Sequence, residues 1–191
     1  MKLRSEVKKA IGYGAICAIA YCTVYISRDT LSALSPQLTE KAIFTTGQLG
    51  TLSSLFFITY AVGQLINGII GDKINGKYMV SFGLIFAGLC LFAMPLLAAV
   101  PWLAYTVYSA MGFFLAMVYA PMTKLIAENN EPDLPTRCNV AHSMASYLGA
   151  PLAGLFAAWL AWKQAFRLSS SLVIAMGVVF FVVFTVFEKK G

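Results

Sequence analysis

Six apolar runs of about 20 residues divide this chain and constrain its fold more than any other feature. The runs cover residues 11–34, 47–70, 78–98, 103–124, 137–160 and 165–187. A hydrocarbon core about 30 Å thick requires about 20 apolar residues per helix. In lipid, an open-chain segment satisfies its own backbone hydrogen bonds only as a helix. The pattern therefore predicts an all-α membrane protein, in which residues 1–191 form a single domain of six transmembrane helices.

The composition excludes several other classes of protein. Charged residues make up 12% of the chain and hydrophobic residues 59%, whereas soluble domains carry about 25% charged residues. The net charge of +6 does not indicate nucleic acid as a partner, because the basic residues are scattered between apolar runs. No set of His, Cys, Asp and Glu has the spacing of a metal or hydrolytic site. We therefore expect a membrane protein that has no cofactor or metal and is not an enzyme.

The distribution of basic residues predicts the orientation in the cell membrane. With a cytoplasmic N-terminus, ten Lys and Arg residues fall in cytoplasmic segments and three fall outside, when the intramembrane Arg28 is left out. Basic residues are enriched in cytoplasmic loops of membrane proteins. Both termini are therefore expected to be cytoplasmic.

Arg28 is the clearest functional candidate, because a charged side chain inside the bilayer costs several kcal/mol and usually has a function. One face of the first helix carries a polar and aromatic series at intervals of three and four residues. This series consists of Cys17, Tyr21, Tyr25, Arg28 and Ser32. Two structural alternatives are that Arg28 pairs with Asp29, or that it reaches the outer surface from a helix ending near Ile26.

The second and fifth helices carry further polar residues inside apolar runs. In the second helix, the series Tyr60, Gln64, Asn67 and Gly71 is expected to face the bundle interior. Gln64 is equally explained by a hydrogen bond between helices. The fifth helix carries the only histidine, His142, which is suited to binding an anion when protonated. A buried neutral histidine bonded to a neighbouring helix is an equally good explanation.

The segment between the second and third helices is short, charged and rich in turn-forming residues. Its notable members are Gly68, Gly71, Asp72, Lys73, Gly76 and Lys77. Asp72 would oppose the dipole of its own helix, which suggests a cationic partner or the N-terminus of another helix. A solvated tight turn is the structural alternative.

Together with the six runs, these residues resemble the N-terminal six-helix half of the major facilitator superfamily. The turn 68–77 is similar to the family's loop signature, and its Asp-Lys-Ile-Asn-Gly-Lys form looks most like the organophosphate:phosphate antiporter branch. Tyr21, Tyr25 and Arg28 match the first helix of that branch. Asn-Val-Ala-His at 139–142 is similar to its fifth helix.

The resemblance implies roles for individual residues. It implies that Arg28 binds the phosphate group, that Tyr21 and Tyr25 stand beside it, and that His142 contacts the substrate. Tyr60 matches a binding-site tyrosine, whereas Gln64 and Tyr119 stand where the antiporters carry a lysine and a tryptophan. The turn 68–77 would couple conformational changes.

The implied function is transport of a small organic anion across the lipid bilayer, with exchange of an organophosphate for phosphate by alternating access. Such transport occurs between two six-helix halves. The expected partner is therefore a second half, either another copy of this chain or a separate C-terminal half. The alternatives are a transporter-like membrane sensor or regulatory subunit, and an inactive split or truncated N-terminal half.

Overall fold

The computed structural model describes residues 2–71, 73–128 and 135–190, apart from the side chains of residues 2–10, His142 and residues 189–190. The described part forms seven α-helices and no strand. They are α1 (Lys2–Glu40), α2 (Thr46–Gly71), α3 (Gly76–Leu97), α4 (Pro101–Leu115), α5 (Tyr119–Glu128), α6 (Pro135–Trp159) and α7 (Trp162–Lys190). The first helix thus continues to Glu40, beyond the end of its apolar run at residue 34.

α4 and α5 together occupy the fourth apolar run, with a turn at residues 116–118 between them. Pro121 explains the position of this break. A proline has no N–H to bond the carbonyl four residues earlier, and its ring collides with that carbonyl. The residue four positions before Pro121 is Met117, in the middle of the turn.

Within the described residues, five helical stretches are long and apolar enough to cross a membrane, and α4 and α5 count as one of them. These stretches are Ile11–Glu40, Thr46–Gly71, Gly76–Leu97, Pro101–Glu128 and Trp162–Glu188. α6 has 25 residues, which is about 37 Å of helix, but polar side chains interrupt its apolar sequence. The helical membrane fold expected from the sequence is confirmed.

The helices pack mainly as three pairs, in which α1 contacts α6, α2 contacts α4, and α3 contacts α7. The six helices in order are α1, α2, α3, α4 with α5, α6 and α7. If the first three are matched in order with the last three, α1 corresponds to α4 and α2 to α6, so the α1–α6 contact corresponds to the α2–α4 contact. The bundle therefore has the pairing expected of two three-helix repeats. α2 is the least buried of the five apolar spans.

The α1–α6 contact depends on Gly149, which lies directly against the backbone of α1. A Cβ atom at this position would collide with Tyr25, and it would lie 2.7 Å from the carbonyl oxygen of Cys22 and 3.0 Å from the nitrogen of Ile26. Small residues allow this kind of close backbone approach between membrane helices. Gly154, one and a half turns further along α6, has nothing within 4 Å of the equivalent position.

We expect Gly149→Ala to destabilise the bundle by about 1–3 kcal/mol, the usual cost of overpacking a tight contact. The reason is that the new methyl group forces α6 away from α1. The measurement is the thermal unfolding midpoint of the purified protein in detergent. Gly154→Ala is the matched control and should leave the midpoint unchanged or slightly raised; equal effects of the two substitutions would contradict the close packing.

Candidate functional site

A cavity of about 650 Å³ lies between α1, α5 and α6. Its first wall consists of Tyr21 and Tyr25 from α1 and Tyr119 from α5. The α6 wall consists of Thr136, Asn139, Val140, Ser143, Met144, Ser146 and Tyr147. Hydroxyl and amide groups therefore supply most of its polar surface, and no charged side chain lines it among the described residues. Three of the residues expected at a substrate site meet in this cavity.

The three tyrosines on the first wall contact one another. The ring centroids of Tyr21 and Tyr25 are 5.2 Å apart, and those of Tyr21 and Tyr119 are 5.6 Å apart. The Tyr21 and Tyr25 side chains also share a hydrogen bond. Tyr21 is almost completely buried, whereas Tyr119 is exposed. The cluster is therefore anchored in the bundle through Tyr21 and presents its other rings to the cavity.

Arg28 lies one helical turn beyond Tyr25, with its guanidinium group next to two aromatic rings. The Cζ atom is 5.3 Å from the ring centroid of Tyr25 and 5.1 Å from that of Phe57 on α2. Both distances are within the range of cation–π attraction. Such contacts hold the guanidinium in place and leave its five N–H donors available.

The structure disagrees with both structural alternatives for Arg28. α1 continues through Glu40, so Arg28 lies inside the helix rather than beyond an end near Ile26. The ion pairs within the described ranges are Lys77–Glu188 and Lys124–Glu128. Arg28 and Asp29, although adjacent, do not form one.

The polar series on α2 is divided between two directions. Asn67 is buried and donates a hydrogen bond to the carbonyl oxygen of Phe113, at 3.4 Å. Gln64 is exposed, so the prediction that it faces the bundle interior is wrong. The reason is that Gly63 and Asn67 form the contact with α4, which turns the intervening Gln64 outward.

Tyr60 connects α2 with the surroundings of Arg28. Its ring stacks on Phe56 with centroids 6.0 Å apart, and its hydroxyl shares a hydrogen bond with Gln64. The positive charge of Arg28 acts on the Tyr60 hydroxyl. Tyr60 and Gln64 are therefore placed beside Arg28 rather than on the walls of the cavity.

His142 belongs to α6, but its side chain lies outside the described residues. Its neighbours Asn139, Ser143 and Ser146 line the cavity. The Oγ atom of Ser146 donates to the Ser143 carbonyl oxygen at 2.6 Å. The Oδ1 atom of Asn139 is buried without a hydrogen-bond partner in the described structure. The described polar side chains of this stretch of α6 therefore face the cavity.

The turn between α2 and α3 is held by contacts with α5. The Nζ atom of Lys124 donates to the Gly71 carbonyl oxygen at 3.0 Å, which satisfies one of the free carbonyls at the end of α2. Gly76 packs directly on Pro121 and Leu125 of α5. Gly68 and Gly71 line a small hollow together with residues of α5. Lys73 is exposed, and Asp72 lies outside the described residues.

Lys77 is buried and forms an ion pair with Glu188 at the far end of α7. Asn75 joins them, because its Nδ2 atom donates to Glu188 Oε1 at 3.0 Å while its Oδ1 atom accepts from the Lys77 backbone N–H. The Lys77 side chain is 8% exposed and that of Glu188 is 38% exposed. This cluster ties the turn, the start of α3 and the end of α7 together.

Four residues of these sites were not predicted from the sequence, namely Phe57, Thr136, Tyr147 and Glu188. Phe57 shares a helix face with Tyr60 and Gln64, at intervals of three and four residues, so that spacing was a usable signal. Nothing local marks Glu188, since its partner Lys77 is 111 residues away.

Residues 17–190 match the Major Facilitator Superfamily. Because this match covers most of the chain, the chain belongs to that family of membrane transporters. It is therefore a multi-pass membrane protein and not an enzyme.

Known relatives indicate the branch. The chain is 24% identical over 165 residues to the probable hexose phosphate transport protein of Chlamydia trachomatis, a match that covers 84% of this chain and 36% of the relative. It is 25% identical over 179 residues to the glycerol-3-phosphate transporter of Bacillus subtilis, covering 88% of this chain and 39% of the relative. The membrane sensor protein UhpC of Salmonella typhimurium is 34% identical over 70 residues, which are 37% of this chain and 16% of the sensor.

These distant relatives confirm the resemblance to the organophosphate branch. The matches also show that the chain spans well under half the length of each relative. With α4 and α5 counted as one span, the architecture is therefore that of one half of a family bundle.

We expect Glu188→Gln to destabilise the bundle by about 1–2 kcal/mol, because it leaves the buried Lys77 ammonium without its counter-charge. The half-exposed position of Glu188 keeps the cost below that of a fully buried pair. The thermal midpoint in detergent is the measurement. Glu128→Gln is the matched control, since the exposed pair Lys124–Glu128 at 3.9 Å should contribute little. A midpoint unchanged by Glu188→Gln would contradict a structural role for the cluster.

Proposed function

We propose that the chain is one half of a transporter that exchanges a small organic phosphate for phosphate, with Arg28 as the anion-binding residue. The observation that carries this proposal is an intramembrane guanidinium without an ionic partner in the described structure, beside a cavity lined by hydroxyl and amide groups. An intramembrane charge is costly unless it faces water, a partner or a ligand. A bound anion supplies the missing counter-charge.

The chemistry of the site suits a phosphate group attached to a hydroxylated body. A guanidinium fork binds phosphate oxygens through two parallel hydrogen bonds. Tyr25 touches both Arg28 and the cavity, so a ligand anchored at Arg28 would extend along the tyrosine cluster. The side chains of Ser143 and Asn139 would then face its hydroxyl groups, as would His142 in our proposal.

A second six-helix half would complete the site. The cavity is open on one side, and α2 exposes large apolar side chains along its length, among them Phe57, Ile58, Leu65 and Ile69. Family members bind substrate between two halves related by an axis along the membrane normal. Another copy of this chain, or a separate C-terminal half, would cover this face. Two copies would present two Arg28 side chains to one cavity.

In the proposed cycle, the two halves rock around the bound anion, with both termini of this chain in the cytoplasm. The turn 68–77 would then lie at the cytoplasmic end of the bundle. Its ties to α5 through Lys124 and to α7 through Glu188 let it move as part of the rigid half. Asp72 remains a proposed member of this coupling turn.

A sensor of organic phosphates is a second candidate, favoured by the similarity to the membrane sensor protein UhpC. Both candidates use the same anion site. Anion binding without flux in proteoliposomes, together with a signalling protein that purifies with the chain, would favour the sensor. Saturable exchange would favour the transporter.

We expect Arg28→Lys to reduce uptake of labelled glycerol 3-phosphate by proteoliposomes at least tenfold, because an ammonium point charge replaces a bidentate fork. Protein level and unfolding midpoint should stay unchanged. Arg167→Lys is the matched control: Arg167 is an exposed arginine on α7, so its variant should retain uptake. Normal uptake by Arg28→Lys would refute the proposed role of Arg28.

A further inference from the structure

α1 carries a negative as well as a positive charge within about one helical turn of the cavity-lining Tyr25. Asp29 is adjacent to Arg28 on α1 and is partly exposed. Within the described part of the chain, its side chain forms no ion pair or hydrogen bond. The Arg28 charge acts on the Asp29 carboxyl group, and both charges act on the buried hydroxyl of Tyr108. The two charged side chains are therefore near each other but do not form an ion pair.

Tyr108 fixes this region of α1. Its hydroxyl donates to the backbone carbonyl oxygen of Arg28 at 3.4 Å, and its side chain is almost completely buried. The backbone on which both charged side chains stand is thereby held against α4. Arg28 extends toward Tyr25 and Phe57, so its guanidinium points away from an ion pair with Asp29.

The other residues around Arg28 add no formal charge among the described side chains. Gln64 and Tyr60 on α2 are neutral, and the cavity walls are formed by hydroxyl, amide and apolar groups. The described part of the site therefore presents one positive and one negative charge. An anion bound to Arg28 is attracted by the first and repelled by the second.

We propose that Asp29 sets the charge selectivity of the site by lowering its affinity for a doubly charged phosphomonoester relative to a singly charged phosphodiester. This inference rests on the proposed function, because it assumes that the ligand phosphate binds Arg28. Every extra negative charge on the ligand increases the repulsion from Asp29. In a partly buried site, one unit of charge near the bound anion changes the affinity on the order of tenfold.

The test compares glycerol 3-phosphate with its methyl diester, which differ by one methyl group and one charge. At pH 7.5 the monoester is mostly doubly ionised, since the second phosphate pKa is about 6. Competition against labelled glycerol 3-phosphate is measured on the full chain in lipid nanodiscs. The ratio of the two affinities in the wild type is the reference for the variants.

Asp29→Asn should shift the ratio of the two affinities about tenfold toward the monoester. The matched control Glu40→Gln makes the same change at an exposed position near the end of α1 and should leave the ratio unchanged. An unchanged ratio in Asp29→Asn, with binding of both ligands still weakened by Arg28→Lys, would overturn the inference and leave the proposed function standing. Failure of the wild type to bind either ligand would overturn both.

Discussion

The hydrocarbon core of a membrane contains no water, and this decides where every polar group of the chain lies. Every backbone group must be bonded within its own helix, and every polar side chain must find a protein partner or a wet cavity. Thr30 has protein partners, since its hydroxyl bonds the Ile26 carbonyl oxygen at 2.6 Å and the Ser169 hydroxyl at 2.9 Å. Arg28 instead lies beside the cavity between α1, α5 and α6.

Helix packing follows from the same constraint, because lipid offers helices no hydrophobic drive to associate. Close backbone contact at Gly149 brings α6 onto α1 and sets the width of the cavity between them. Further along the same two helices, Gln37 on α1 donates from Nε2 to the carbonyl oxygens of Ala157, in the last turn of α6, and of Leu160, just beyond it. Van der Waals contact and satisfied helix ends thus position the polar wall of α6.

Local patterns in the sequence predicted the helices and most of the aromatic site. Apolar runs specify spans because their length matches the bilayer, and the three-and-four spacing placed Tyr21 and Tyr25 on the face of Arg28. The direction of Gln64 could not be predicted in this way. It depends on which face of α2 meets α4, and that is decided by a glycine contact between distant segments. The Lys77–Glu188 pair joins residues 111 positions apart. The direction of the Arg28 side chain likewise depends on a distant residue, because its guanidinium contacts Phe57 on α2.

In the proposed site, the polar wall of α6 faces a water-filled cavity in which an anion binds near Arg28. The most direct test places a cysteine at Ser143, in a chain whose native cysteines are replaced by alanine, and measures its reaction with a charged, membrane-impermeant thiol reagent. We expect rapid reaction that glycerol 3-phosphate slows, and no such protection for Leu155→Cys, because Leu155 lies on α6 outside the cavity. A Ser143→Cys variant that does not react, or that glycerol 3-phosphate does not protect, would contradict the proposed site.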